Sequence, residues 1–172
     1  ALVEDCNAIA QNGGFTGLRF VEGGIAEYDC TGVDVVIALH ACDTATDDAI
    51  AKAIKANAKL IVVAPCCHKQ IRRAMNKLPV NHTLAPVLAH GTYVERVAEM
   101  LTDSLRAELM ELHGYRTKLF EFISDAHTPK NVMIVGEKSG LPKDATRVRD
   151  AIARLKAEFG IKEHYLETQL PA

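Results

Sequence analysis

The chain has 172 residues, 48% apolar and 24% charged, with a formal net charge of -2. This composition fits one ordinary globular domain with a real core and excludes a chain-wide electrostatic pull toward nucleic acid or anionic membrane. No apolar run nears the roughly 18 residues a spanning helix needs. The acidic start ALVEDC lacks signal-peptide order, and an odd five cysteines point to reduced thiols in a cytoplasmic protein.

Leu2, Cys6, Ile9 and Ala10 share a helical face that Asn12-Gly13-Gly14 ends. Leu18–Val21 reads as a short strand running into Glu22-Gly23-Gly24-Ile25, where paired glycines permit a tight turn and a close ligand. Val33–Leu39 and Lys59–Ala64 are continuous apolar runs of the kind found in strands buried on both faces. Between them Thr46-Asp47-Asp48 can cap a helix that presents Ile50, Ala53, Ile54 and Asn57 at near-helical spacing. The unit is a βαβ crossover.

Gln70–Met75 reads as a short helix, basic through Lys69, Arg72 and Arg73, and Pro79 and Pro86 make Leu78–His90 irregular. The longest amphipathic pattern, Tyr93–Leu112, sets Val94, Val97, Leu101, Leu105, Leu109 and Leu112 on one face, and Gly114 ends it. Tyr115–Ile123 and Asn131–Gly136 are strands, antiparallel by the length of their linker. Ser139-Gly140-Leu141-Pro142 breaks the chain before a final helix, Ala145–Phe159, that turns Val148, Ile152, Leu155 and Phe159 inward. The fold class is therefore α/β, a partial doubly wound sheet closed by a hairpin. No G-x-G-x-x-G turn follows a strand.

Both apolar runs of the crossover stop abruptly in polar residues, His40-Ala41-Cys42-Asp43 and Pro65-Cys66-Cys67-His68-Lys69. Ligands of open α/β sheets bind at the carboxyl ends of strands, so the chemistry is expected there. Leu39–Asp47 (LHACDTATD) and Pro65–His68 (PCCH) resemble motifs of class I S-adenosylmethionine-dependent methyltransferases, closest to a bacterial group with both segments. The pairing also resembles that of eukaryotic tRNA ribose methyltransferases, and His127-Thr128-Pro129-Lys130-Asn131 extends the likeness, which covers about residues 1–138.

The resemblance implies a Rossmann-like sheet of seven strands in the order 3-2-1-4-5-7-6, of which this chain supplies strands 3 to 7. It implies a methyltransferase part at 1–138, without the glycine-rich first strand-loop; the helical extension at 139–172 lies beyond the likeness. The cofactor implied is S-adenosylmethionine, held by Gly24, Ile25, Leu39 and His40. It further implies catalytic roles for His40, Asp43 and His68, and acceptor contacts from Cys42, Cys66, Cys67 and Lys69. RNA is the favoured acceptor class, and no membrane partner is implied. The alternative is a non-catalytic binding module on a truncated sheet.

Each residue also has a plainer reading. Gly24-Ile25 fits an ordinary turn. Asp43 fits an N-cap. Cys66 fits a small buried apolar residue. Cys66, Cys67 and His68, joined by His40 and Cys42, have the ligand types of a zinc site, but adjacent cysteines suit one tetrahedral ion poorly, and no metal is assigned. Lys69, Arg72 and Arg73 fit a solvated surface as well as a phosphate contact. In the family order, Val33–Leu39 lacks a neighbour on one side. Either Leu18–Val21 pairs with it or two chains join there, and a homodimer is the expectation.

Overall fold

In the computed structural model, which describes residues 1–170 apart from 40, 77, 79–81, 125, 127, 129 and 141–143, two short parallel strands carry the site. They are β1 (Val35–Leu39) and β2 (Leu60–Ala64), paired with Ile37 opposite Val62. The antiparallel hairpin of β3 (Tyr115–Glu121) and β4 (Val132–Lys138) joins β2 through β4, giving the order β1-β2-β4-β3. This is strands 4-5-7-6 of the Rossmann-like order, so the expected partial doubly wound sheet is present. His127 and Pro129 lie outside the described residues. Asn131 beside them closes the hairpin, donating from its side chain to Ile123 O at 2.9 Å and accepting Phe122 N at its own carbonyl at 3.0 Å.

Leu18–Val21 forms no strand. Its backbone is held instead by Asn7 of helix α1 (Leu2–Asn12), whose amide bonds both N and O of Phe20 at 2.8 and 2.9 Å. A strand needs a ladder partner, and β1 takes none on its outer side among the described residues. The expectation of strands buried on both faces also fails for β1. Val36 and Ala38 pack against the core, while Val35, Ile37 and Leu39 are exposed, Ile37 by 62%. All the core-forming helices cover one face of the sheet.

On that face, Val36, Ile61 and Gly136 make one row, and Ala38, Val63 and Ile134 the next. Helix α2 (Thr44–Lys55) lies over β1 and β2, and α5 (Gly91–Leu112) over β3 and β4. Gly136 lets α5 approach closely: a Cβ there would run into the methyl group of the fully buried Met110. α2 starts two residues earlier than its expected cap, so Thr46 and Asp47 lie inside it, buried. Asn57 is not part of its face. With φ of +56° it ends the helix, and Ala58 N and Asn57 N close onto Ala53 O and Ile54 O, a Schellman stop. Helix α3 (Lys69–Met75) and the short α4 (Ala85–Leu88), within the stretch read as irregular, pack against α5.

The tail joins the same core. Helix α6 (Ala145–Glu158), capped by Asp144 on Thr146 N and Arg147 N, lies on α5. An unforeseen helix α7 (Tyr165–Gln169) lies on α2. Val148, Ile152, Phe159, Ile161 and Leu166 bury with the sheet residues in one cluster. No described helix is long and apolar enough to cross a membrane.

His164 starts α7 in a capping box: its Nδ1 accepts Leu166 N at 3.2 Å, and Glu167 accepts His164 N at 2.7 Å. Burial, aided by nearby Arg106 and Lys156, pushes this imidazole down to about 3. In the unfolded chain it titrates near 6.5, so the unfolded state binds the extra proton between those values. Stability present above about pH 6.5 is therefore lost as pH falls, by up to about 1.4 kcal/mol per pH unit. Between about pH 6.5 and about pH 5, above the carboxylate range, urea midpoints of the parent chain should fall more steeply than those of His164→Asn, which keeps an acceptor for the cap. Parallel curves would refute the assignment.

Candidate active site at the carboxyl edge of the parallel strands

The two strand ends meet through Asp43. Its backbone takes φ of +53° and ψ of -120°, a combination natural to glycine and costly for a side chain, on the order of 1–3 kcal/mol. It sits at the N-cap position of α2 but makes no side-chain cap there. Its carboxylate crosses to α3 and accepts Gln70 N at 3.1 Å. Asp43 is thus a cap, for a different helix from the one its sequence position suggests. The turn is held from behind as well: Thr46 Oγ1 donates to Ala41 O at 2.5 Å, and Arg106 Nη2 to Asp43 O at 2.8 Å.

Arg106 belongs to a buried charged chain under the site. Its Nε donates to Asp47 at 2.7 Å and its Nη1 to Asp103 at 3.0 Å. His68 Nε2 lies 3.1 Å from the same Asp103 oxygen, with the two side chains only 1% and 3% exposed. Burial works against the Arg106 charge, yet Asp47 and Asp103 hold the guanidinium protonated above its ordinary value. Burial pushes the Asp47 carboxyl up while Arg106 pulls it back. His68 and Asp103 are thus almost as buried as Arg106 itself. The His68 ring therefore belongs mainly to the packed layer between α3 and α5, though it also borders the cleft above.

Three thiols gather at the surface of this layer. Cys42 Sγ and Cys66 Sγ are 3.3 Å apart, and Cys66 Sγ and Cys67 Sγ 3.7 Å. Burial and the neighbouring thiols push Cys66 up to about 12. The hydrogen bond from Cys66, then that from Cys67 and the charge of Lys69, bring Cys42 below the ordinary thiol value. Cys42 thus ionises before Cys66.

Two clefts flank this edge. One, about 900 Å³, runs between residues 21–33 and β1 and takes in Gly24, Ile25 and Leu39. The other, about 520 Å³, opens between α3 and α5 and takes in Cys66, Cys67, His68 and Lys69. Its rim carries Lys69, Arg72, Arg73, Arg96 and Lys130 against Glu95 and Glu99. Arg72 lies 2.9 Å from Glu95, and Lys130 2.9 Å from Glu99, leaving an excess of positive charge. The structure thus brings Cys42, Asp43, Cys66, Cys67, His68 and Lys69 together and sets Gly24, Ile25 and Leu39 in the other cleft. His40 lies outside the described residues. Sequence reasoning missed Asp103, Arg106 and Gln70. Asp47 stood inside a quoted motif but was read only as a cap.

Comparison with known proteins finds partial likenesses. A family model described as a methyltransferase domain matches residues 1–74, from α1 to the last turn of α3. Curated relatives named glutathione S-transferase C-terminal domain-containing protein match over 144 residues: 25% identical in Bos taurus, 26% in Homo sapiens and 28% in Mus musculus. Each match covers 72% of this chain and 22% of the relative, so the chain spans about a fifth of the length of those proteins. No solved structure matches.

Proposed function

We propose that this chain is part of an S-adenosylmethionine-dependent methyltransferase acting on RNA. The observation that carries the reading is the methyltransferase-domain match ending just past the Cys66-Cys67-His68 edge, which two clefts flank. The β1 cleft suits the cofactor. Its volume lies within the roughly 300–1,000 Å³ of small-molecule sites, its walls include Val21, Ile25 and Leu39, and Gly23 and Gly24 leave backbone bare there. Gly24, Ile25 and Leu39 would hold the adenosyl group, with His40 the fourth residue implied by the motif. When bound, the cofactor supplies an electrophilic methyl group.

The chain's own part is placement and exclusion of water, because methyl transfer is an in-line displacement. Cys42, Cys66, Cys67 and Lys69 border the acceptor side. Asp43 and His68 act as positioning residues that fix the two strand-end loops. The basic rim of the second cleft supplies phosphate contacts, which set register on a nucleic acid without reading its sequence.

Isothermal titration of S-adenosylhomocysteine into the full gene product tests the reading. Saturable heat is expected, lost in Ile25→Arg and kept in Lys69→Glu. Lys69→Glu should instead weaken RNA binding and flatten its salt dependence by about one unit of slope. Absence of heat would overturn the cofactor, and an unchanged slope the acceptor.

A second reading, an interaction module, is favoured by one observation: the exposed Val35, Ile37 and Leu39 on a strand with no outer neighbour among the described residues. We propose on the same ground that this chain by itself pairs through β1 as a homodimer. An open apolar strand templates another, and a twofold pair buries both edges. Sedimentation at micromolar concentration should show a dimer that Ile37→Lys converts to monomer. A monomeric parent chain would refute it.

A further inference from the structure

We infer that Cys42, Cys66 and Cys67 form a binding site for one thiophilic metal ion of the zinc and cadmium class, independently of the methyltransferase reading. Thiolates bound at about 2.3 Å around one zinc ion sit roughly 3.8–4.0 Å from one another, whether the geometry is tetrahedral or trigonal. The three sulfurs here are 3.3 and 3.7 Å apart in the two bonded pairs, and all lie within 4.8 Å of one another. The two hydrogen-bonded pairs need to spread by only about half an ångström or less to admit an ion in tetrahedral geometry.

The adjacent pair suits the site because Cys67 and Cys66 turn their thiols to one side, and Cys42 meets them from the neighbouring strand end. The other two cysteines, Cys6 and Cys30, join no such group among the described residues. His68 is committed to Asp103, so the described donors are all sulfur. Sulfur-only sets select soft ions over magnesium or calcium. Cys42 is exposed, so an ion can reach the cluster from solvent.

Binding exchanges thiol protons for the ion and changes no oxidation state, so affinity rises with pH. Once bound, the ion ties the loop after β1 to the loop after β2, a second link beside that of Asp43 to Gln70.

Cadmium titration of the chain, kept reduced with a phosphine that does not compete as a thiol, tests the inference through the ultraviolet sulfur-to-cadmium charge-transfer band. One equivalent should saturate the band and raise the melting temperature. Cys42→Ser, Cys66→Ser and Cys67→Ser should each weaken binding by more than the roughly 10-fold typical of losing an outer-sphere partner. Cys6→Ser and Cys30→Ser should leave it intact, and far-UV circular dichroism should show all five variants folded. An absent band, or one that survives in the three cluster variants, overturns the site. Should one cluster variant fail to fold, the remaining two decide.

Discussion

Arg106→Met is expected to destabilise the fold by about 3–5 kcal/mol, a large share of the stability of a domain this size. The guanidinium is fully buried and satisfies Asp47, Asp103 and the carbonyl of Asp43. Removing it leaves two carboxylates out of water with no cation between them. Much of the loss is that penalty rather than the worth of the ion pairs. The triple variant with Asp47→Leu and Asp103→Leu should therefore recover most of the stability. Urea unfolding followed by far-UV circular dichroism reads both, since a loss of about 3–5 kcal/mol moves the midpoint by roughly 1–3 M at ordinary m values. A loss below about 1 kcal/mol in Arg106→Met would mean that the two acids are not charged in the native state.

The second large effect concerns turnover in the full gene product. On the proposed function, Asp43→Ala and His68→Ala should each lower methyl transfer about 100-fold, the cost of displacing reacting groups by about 1 Å. Affinity for S-adenosylhomocysteine should change little, because Gly24, Ile25 and Leu39 lie in the other cleft. Asp43→Asn separates two roles. Asparagine tolerates positive φ and still accepts Gln70 N, so a positioning role predicts near-normal turnover. A general base at this position predicts that Asn is as poor as Ala. Normal rates in both Asp43→Ala and His68→Ala would return these residues to capping and packing.

What the sequence displays, and what it hides, follows from the range of each interaction. The crossover was legible because its strands are short apolar runs ending abruptly in polar residues, and α5 because its leucines recur at helical spacing. The hairpin was legible from alternation and linker length. Leu18–Val21 misled because strand formation depends on a partner, which composition does not reveal. Asp103 and Arg106 were invisible for the opposite reason. Arg106 meets Asp47 across 59 residues of chain, and Asp103 meets His68 across 35. A charged pair spaced i, i+3 on a helix ordinarily marks a solvated face. The positive φ of Asp43 likewise has no sequence signal, since aspartate at a helix start reads as a local cap.

Gln70 gives the carboxyl-terminal tail a hold on the chemistry. Its backbone N–H donates to Asp43, its side-chain oxygen accepts Tyr165 N at 3.1 Å, and its side-chain nitrogen donates to Glu163 O at 3.4 Å. Tyr165 adds a bond from its hydroxyl to Asp48 of α2 at 3.0 Å. Undocking α7 would therefore free Gln70, uncover Leu166 and open a route for water to the Arg106 layer. Slow hydrogen exchange in the first turns of α2 and α3 should then depend on the tail staying closed, so that a protease nick near Lys162 speeds exchange at amides that it does not touch in sequence.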